Sequence, residues 1–447
     1  MSEDQTDQDA APVPDGRVGR LLRLGSMTSG LMGDMAISGL RQIAKGQRPS
    51  LQNMLMTPMT ATRVTRDLRT MRGAAMKMGQ MLSMDPGFVL PPEMTVIMAA
   101  LRDEARHMPP QQLRDVLNAE WGPDWRRRFT RFDVRPFAAA SIGQVHRART
   151  TDGRDLAIKV QYPAVRDSID SDIDNIAALL RLSGMVPRGM DIDPMLAEAR
   201  QQLHQEADYK AEADNLAAFN AFLAESDDFL LPACHPDLST PRVLAMTYID
   251  SQPIEALESA SQSLRDQVAA RMIDLVLREL FTFRTMQTDP NLANYRFDPV
   301  TGRIVLLDFG AVTRLAPALT AQFQNLLDAT LSTDRDATRA AMHAIGYFGS
   351  ATAAHHSDLI LEMFETAMIP IRQENPFDFG TSDIVTRLRD MGIALGRDRD
   401  LAHVPPAETL FLHRKIAGIY LMAARLKARV AIRPIVAPYS RIGTAAF

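Results

Sequence analysis

The stretch IVLLDFGAV, residues 304–312, decides how the rest of the chain is read. An apolar, partly β-branched run ending in Asp308, Phe309 and Gly310 reads as a strand that delivers a carboxylate to a turn, the way phosphoryl-transfer enzymes present a ligand to Mg²⁺. Alone the motif is weak, because acidic turns after strands are common. Just upstream, however, TDPNLANYRF (288–297) sets Asp289 and Asn294 five positions apart, the Asp-to-Asn interval of a kinase catalytic loop. That interval lets one carboxylate face the reacting oxygen while the amide carbonyl, a hard donor, joins Asp308 on a metal. Asp298, Pro299 and Gly302 supply the turn of a hairpin between strands at 295–297 and 304–309.

Further upstream, DLAIKV (155–160) places Lys159 in a strand with its side chain opposite to Ile158 and Val160. A lysine in a strand is usually a solvated edge residue. Before it, though, comes a run of small residues, Ala138, Ala139, Ala140, Ser141, Ile142 and Gly143, read as a turn between strands. Backbone amides approach phosphates closely only where side chains are small. Alanine where glycine is usual makes the turn stiffer. With a second turn at Thr151, Asp152, Gly153 and Arg154, residues 132–163 read as a small antiparallel sheet.

A helix expected from Asp193 to about Phe222 contains QEADYKAEADN (205–215), which offers Glu206, Asp208, Glu212 and Asp214 as partners for a lysine. At ~100° per residue, Glu206 and Glu212 lie about 120° apart, so one lysine does not engage both and two cationic partners are implied. Downstream, residues 264–285 read as a helix with Val268, Met272, Leu275, Val276 and Leu280 on one face. Residues 316–426 read as helices with a polar loop at 373–380. WRRRFTRF (125–132) reads as a solvated helix end rather than a nucleic-acid surface.

Composition narrows the function classes. The 447 residues carry 50 Lys plus Arg against 54 Asp plus Glu, a net charge of -4, which leaves no electrostatic footprint for nucleic acid. The single cysteine, Cys234, excludes an internal disulfide framework and a cysteine zinc site, and points to a reducing compartment. His107, His146 and His204 show no metal-ligand spacing. Residues 1–16 are acidic, lack a secretory signal and read as a disordered tail. No window has the ~18 apolar residues of a membrane span. Residues 18–43 form a basic amphipathic pattern whose glycines favour docking on the protein over a lone helix on an anionic membrane. Thirteen of the 26 methionines fall between Met27 and Met98, and the stripe from Met71 to Met98 reads as adaptable core filler.

The segments RGAAMKMGQMLS (72–83), PFAAASIGQVH (136–146), LAIKVQYP (156–163), QEADYKAE (205–212), MQTDPNLAN (286–294) and LLDFGAV (306–312) resemble those of the UbiB or AarF-domain atypical kinase family, in the branch that supports ubiquinone biosynthesis. The resemblance runs from about residue 17 to 429 and implies an α+β, bilobal protein-kinase-like fold with helical extensions at both ends. It matches Lys77 and Gln80 to a Lys-x-Gly-Gln motif that folds over the active site, and Glu206 and Asp208 to a Glu-x-Asp motif whose glutamate pairs with Lys77. Glu212 is then left to anchor Lys159. The expected nucleotide loop is Ala138, Ala139, Ala140, Ser141, Ile142, Gly143, Gln144 and Val145, with Lys159 on the phosphates, Asp289 as base or water-positioning group, and Asn294 and Asp308 on Mg²⁺. Met246 and Tyr248, in the extended stretch 246–250, are the candidate adenine-side hinge by their place in the chain order.

The expected domains are the tail (1–16), a helical extension (17–128), a small lobe (129–250) and a helical lobe (251–447). The expected activity is that of an ATPase-like atypical kinase in lipid or quinone-precursor handling; the alternatives are a protein kinase and a nucleotide-binding scaffold. Expected partners are ATP, isoprenoid or quinone precursors, an anionic membrane at its periphery, ubiquinone-biosynthesis enzymes and a second copy of the chain. The expected location is cytoplasmic and peripheral to the membrane. FLHRKIAGIYLMAARLKAR (411–429) resembles a family helix, but the sequence assigns His413, Arg414 and Lys415 no chemical role.

Overall fold

A computed structural model of the chain describes residues 107–140, 142–182, 192–349, 352–397 and 406–442. The expected tail, the Lys77 and Gln80 motif, the basic 18–43 pattern, the methionine-rich stretch and Ser141 lie outside the described residues. The described residues form two compact units. One comprises those up to Ala217 together with Pro232–Tyr248, and the other Ala218–Leu231 together with those from Ile249 onward.

The first unit opens with helix α1 (Pro110–Trp121). Proline in its first turn suits the preset φ of that residue, and Leu113, Val116, Leu117 and Trp121 are buried along one face. Gly122, at φ 83°, ends the helix by donating its N–H to Asn118. A 3-10 turn (Trp125–Arg128) leads into strand β1 (Phe129–Phe132), followed by β2 (Ala138–Ala140), β3 (Gly143–Thr150), β4 (Asp155–Gln161) and β5 (Val243–Thr247). The strands pair antiparallel in the order β1-β3-β4-β5, and β2 lies along the same edge of β3 as β1. Alternation in β4 sends Leu156, Ile158 and Val160 into a core with Met108, Leu117, Trp121, Trp125 and Phe129.

Two sequence expectations change here. WRRRFTRF is not a solvated helix end: Trp125 and Phe129 are buried and Phe132 is half-buried, while the four arginines and Thr130 are exposed. The rings of Trp121 and Phe129 lie 5.4 Å apart and those of Trp125 and Phe132 4.9 Å apart, pairs worth about 0.5–1.5 kcal/mol each beyond area burial. The expected single helix from Asp193 is two, α3 (Asp193–Glu206) and α4 (Tyr209–Phe222), preceded by α2 (Val165–Leu182). Asp208 makes the break: its Oδ1 accepts the backbone N–H of Ala211 at 3.1 Å, an N-terminal cap on α4. Gln161 of β4 holds the other side of the break by donating from Nε2 to the Ala207 carbonyl at 2.9 Å.

In the second unit, helix α5 (Gln262–Leu277) is capped by Ser261 and buries Val268, Met272, Leu275 and Val276 on the expected face. It continues into a π-helix (Arg278–Phe283) that ends at Arg284 with φ 50°. Then come β6 (Thr285–Gln287), the hairpin strands β7 (Tyr295–Asp298) and β8 (Arg303–Leu306), and β9 (Val312–Arg314), which pairs back antiparallel on β6. Helices α6 (Pro317–Leu331), α7 (Arg335–Ile345), α8 (Ala354–Ala367), α9 (Ile384–Arg397) and α10 (Ala407–Arg425) follow. The polar 373–380 loop contains a short strand, Phe377–Asp378, paired with Arg429–Val430, and Phe377 and Phe379 enter the core. Among the described residues no helix is long and apolar enough to cross a membrane.

Candidate functional site

In the first unit the sheet carries Lys159 to a buried acid. Lys159 is 6% exposed, and its Nζ donates to both carboxylate oxygens of Glu212 at 2.8 Å. The Tyr209 ring lies beneath the ammonium, 5.1 Å away. A desolvated pair is stable only with such close, two-pronged geometry. Glu206, the last residue of α3, is 6% exposed, and Lys77, its expected partner, lies outside the described residues. Asp208 serves the α4 cap.

The small-residue run is a hairpin rather than a loop. Ala138, Ala139 and Ala140 form β2, in register with Val145, Gln144 and Gly143. The run is therefore strand through Ala140, and Ile142 is buried. Alanine carries no turn signal and fits an edge strand, which the sequence reading missed. Gly143 is required by packing: a Cβ there would lie 2.4 Å from the Val160 carbonyl and 2.9 Å from the Tyr209 hydroxyl. Its neighbour Gln144 is fully buried, accepting the Met108 N–H at Oε1 (2.8 Å) and meeting His146 Nε2 with its amide nitrogen (2.9 Å). His146 Nδ1 lies 2.8 Å from the Asp133 carbonyl, which only accepts, so the neutral ring carries its proton on Nδ1 and takes the Gln144 N–H on Nε2. Burial holds this imidazole down at about 4. Met246 is buried in β5 opposite Ala157, while Tyr248 donates its N–H to Asp155 and carries the Arg147 guanidinium 3.9 Å above its ring.

In the second unit two ladders bring Asp289, Asn294 and Asp308 to neighbouring loops. The β6–β9 pairing is extended by the Thr288 N–H to Ala311 (2.9 Å), and the β7–β8 hairpin by the Leu307 N–H to Asn294 (3.1 Å). Asp289 is 9% exposed. Asn294 donates from Nδ2 to the Asp289 carbonyl at 3.2 Å, which turns its Oδ1 the other way, as a metal ligand requires. Asp308 Oδ1 accepts the Gly310 N–H at 2.9 Å, shaping the turn. Phe309 is buried against Phe219, with ring centroids 4.7 Å apart. Among the described residues no three His, Cys, Asp or Glu side chains gather as a metal cluster. One carboxylate and one amide oxygen suit Mg²⁺, which keeps waters and binds substrate phosphates.

Sequence reasoning missed a buried group beneath this loop. Lys415 of α10, 1% exposed, donates to Glu279 Oε1 (3.3 Å), Gln287 Oε1 (2.9 Å) and the Tyr295 hydroxyl (3.1 Å). Burial pushes the Glu279 carboxyl up, and the opposing pull of Lys415 does not cancel it. Burial also works against the Lys415 ammonium, but Glu279 and Tyr295 outweigh it and the net direction is up. His413 shares a 2.6 Å hydrogen bond with Tyr347.

Known proteins resemble the chain at every level. Residues 100–342 match the ABC1 atypical kinase-like domain. The chain is 35% identical over 424 residues to the atypical kinase COQ8, mitochondrial, of Saccharomyces cerevisiae, covering 94% of this chain and 84% of that one. It is 35% identical over 429 residues to the atypical kinase COQ8B, mitochondrial, of Rattus norvegicus, covering 95% and 80%. The solved complex of Rv3197 with erythromycin from Mycobacterium tuberculosis shares the fold, with a TM-score of 0.57 at 22% identity, over 92% of this chain and 97% of that one.

Proposed function

Because the chain belongs to the ABC1 atypical kinase-like family and has its kinase-like fold, we propose that it binds MgATP and turns it over in support of ubiquinone biosynthesis. The observation that carries this reading is the buried, two-pronged Lys159–Glu212 pair, together with retention of Asp289, Asn294 and Asp308. A lysine neutralises phosphate only if something fixes its ammonium, and Glu212 does so from α4.

In the proposed mechanism the β2–β3 hairpin, residues 138–145, covers the phosphates, and Lys159 neutralises them. Met246 and Tyr248 flank the adenine. Asn294, through its amide oxygen, and Asp308, through its carboxylate, would hold the metal. Mg²⁺, when bound, offsets charge on the phosphate oxygens. Asp289 accepts a proton from, or orients, the attacking hydroxyl or water. Positioning and charge neutralisation carry the catalysis, as in other phosphoryl transfers. Lys77 and Gln80 restrict access to the site, with Glu206 as the partner of Lys77. Lipid or quinone-precursor handling, rather than a protein acceptor, follows from that occlusion. The work is done at a membrane periphery.

The test is Asp308→Asn. Mg²⁺-dependent ATP hydrolysis is expected to disappear while the melting temperature holds, and the variant should fail to restore ubiquinone and precursor levels in cells lacking the chain. Wild-type hydrolysis by clean Asp308→Asn protein would overturn the reading.

A further inference from the structure

The residues between α5 and β7 are held from below by a group far along the chain. Lys415 and Gly418 lie three positions apart on one face of α10. Gly418 brings the helix against the Asp289 loop: a Cβ there would lie 2.4 Å from Pro290 Cβ and 3.2 Å from the Pro290 carbonyl oxygen. Lys415 acts one turn away. Its ammonium and the Tyr295 hydroxyl (3.2 Å) both donate to Gln287 Oε1, so the Gln287 amide nitrogen faces the other way and donates to the Asp289 carbonyl at 2.7 Å. The Asn294 amide donates to the same carbonyl.

We infer that α10 is the platform of the Asp289 loop and that Lys415 is a positioning residue, acting through Gln287 to fix the backbone of Asp289. This rests on the reading of Asp289 as a catalytic group. The cation does what a neutral side chain does not: it sets the sense of the Gln287 amide. With only the Tyr295 hydroxyl left, which both donates and accepts, the amide is free to turn and present its oxygen to the Asp289 carbonyl, two acceptors in contact. Glu279, 3.2 Å from the ammonium through Oε2, balances the buried charge and comes from the π-helical turn. Removing Lys415 alone leaves Glu279 uncompensated, so the inference needs variants that spare the fold.

Two such variants serve. Gly418→Ala keeps the ion pair and pushes on Pro290; the double variant Lys415→Met with Glu279→Met removes both charges together. Each is measured in the full chain for kcat and KM with MgATP, and for hydrogen exchange of residues 287–294. Both are expected to lower kcat by roughly 10- to 100-fold, the cost of misplacing a catalytic group by about 1 Å, with KM unchanged and with faster exchange confined to that loop. A merely structural role predicts a lowered melting temperature with kcat per folded molecule intact, and wild-type kcat in either variant overturns the inference. Asp308→Asn run alongside separates the two claims: if it still hydrolyses ATP, the ATPase reading fails, and loop exchange alone decides whether α10 positions Asp289. Unchanged exchange then refutes the inference.

Discussion

Gly143 and His146 show how closely the first unit is fitted around the β2–β3 hairpin. The contact facing Gly143 is backbone of the paired strand, Val160, so it yields only by breaking the ladder. Gly143→Ala is expected to cost about 3 kcal/mol, the upper end for overpacking, read as a drop in the urea midpoint at unchanged slope. His146 couples the same hairpin to pH. Its folded value of about 4 lies below the ordinary 6.5, so between these values the unfolded chain binds a proton that the folded chain refuses. The stability it contributes is fully present above about 6.5 and is lost as pH falls toward 4, on the order of 3 kcal/mol in all. His146→Phe should flatten that part of the stability curve between pH 7.5 and 5; an unchanged slope would assign the pH dependence elsewhere. Residues at this scale differed in how readable they were. The strand and loop placements of Lys159, Asp289, Asn294 and Asp308 were legible because strand alternation and turn residues announce them locally. Lys415 was not, because its partners lie 120 to 136 positions away and no local pattern marks a lysine as buried.

Among the elements, the β2–β3 hairpin is where physical chemistry departed furthest from the sequence reading. Three alanines were read as a turn because phosphate loops need small residues, yet alanine lacks the positive-φ freedom that makes turns. Instead all three alanines are laddered to β3. Ala140→Gly restores that freedom at the last paired position and is expected to change the ATP Kd by about 2- to 5-fold, the equivalent of the 0.5–1 kcal/mol that separates the two residues. Identical nucleotide titrations would show that stiffness there is irrelevant to binding. The α3–α4 break was legible in retrospect from Asp208, a good N-cap residue set in an otherwise helical run. It also replaces the angular argument about Glu206 and Glu212, which belong to different helices.

Over the whole molecule, a net charge of -4 means that any attraction to an anionic surface has to come from a local patch, the basic residues within 17–45. Vesicles containing anionic lipid are expected to raise ATP hydrolysis several-fold without phosphoryl transfer to protein, and the effect should fade above ~0.5 M salt, where the Debye length falls to about 4 Å. Equal rates with neutral and anionic vesicles would remove the patch from the account. The bilobal, helix-rich family fold was legible from the motifs, their order and the family resemblance they carry; the division within α4, after Ala217, was not, since it depends on which residues pack together. The bond from the Met108 N–H to Gln144 has a mechanical consequence. Met108 is pinned to β3 one residue from Gly143, through a side chain with no solvent around it. A displacement of Met108 is therefore passed to β3 beside Gly143 through a buried bond, with no solvent in between to absorb it.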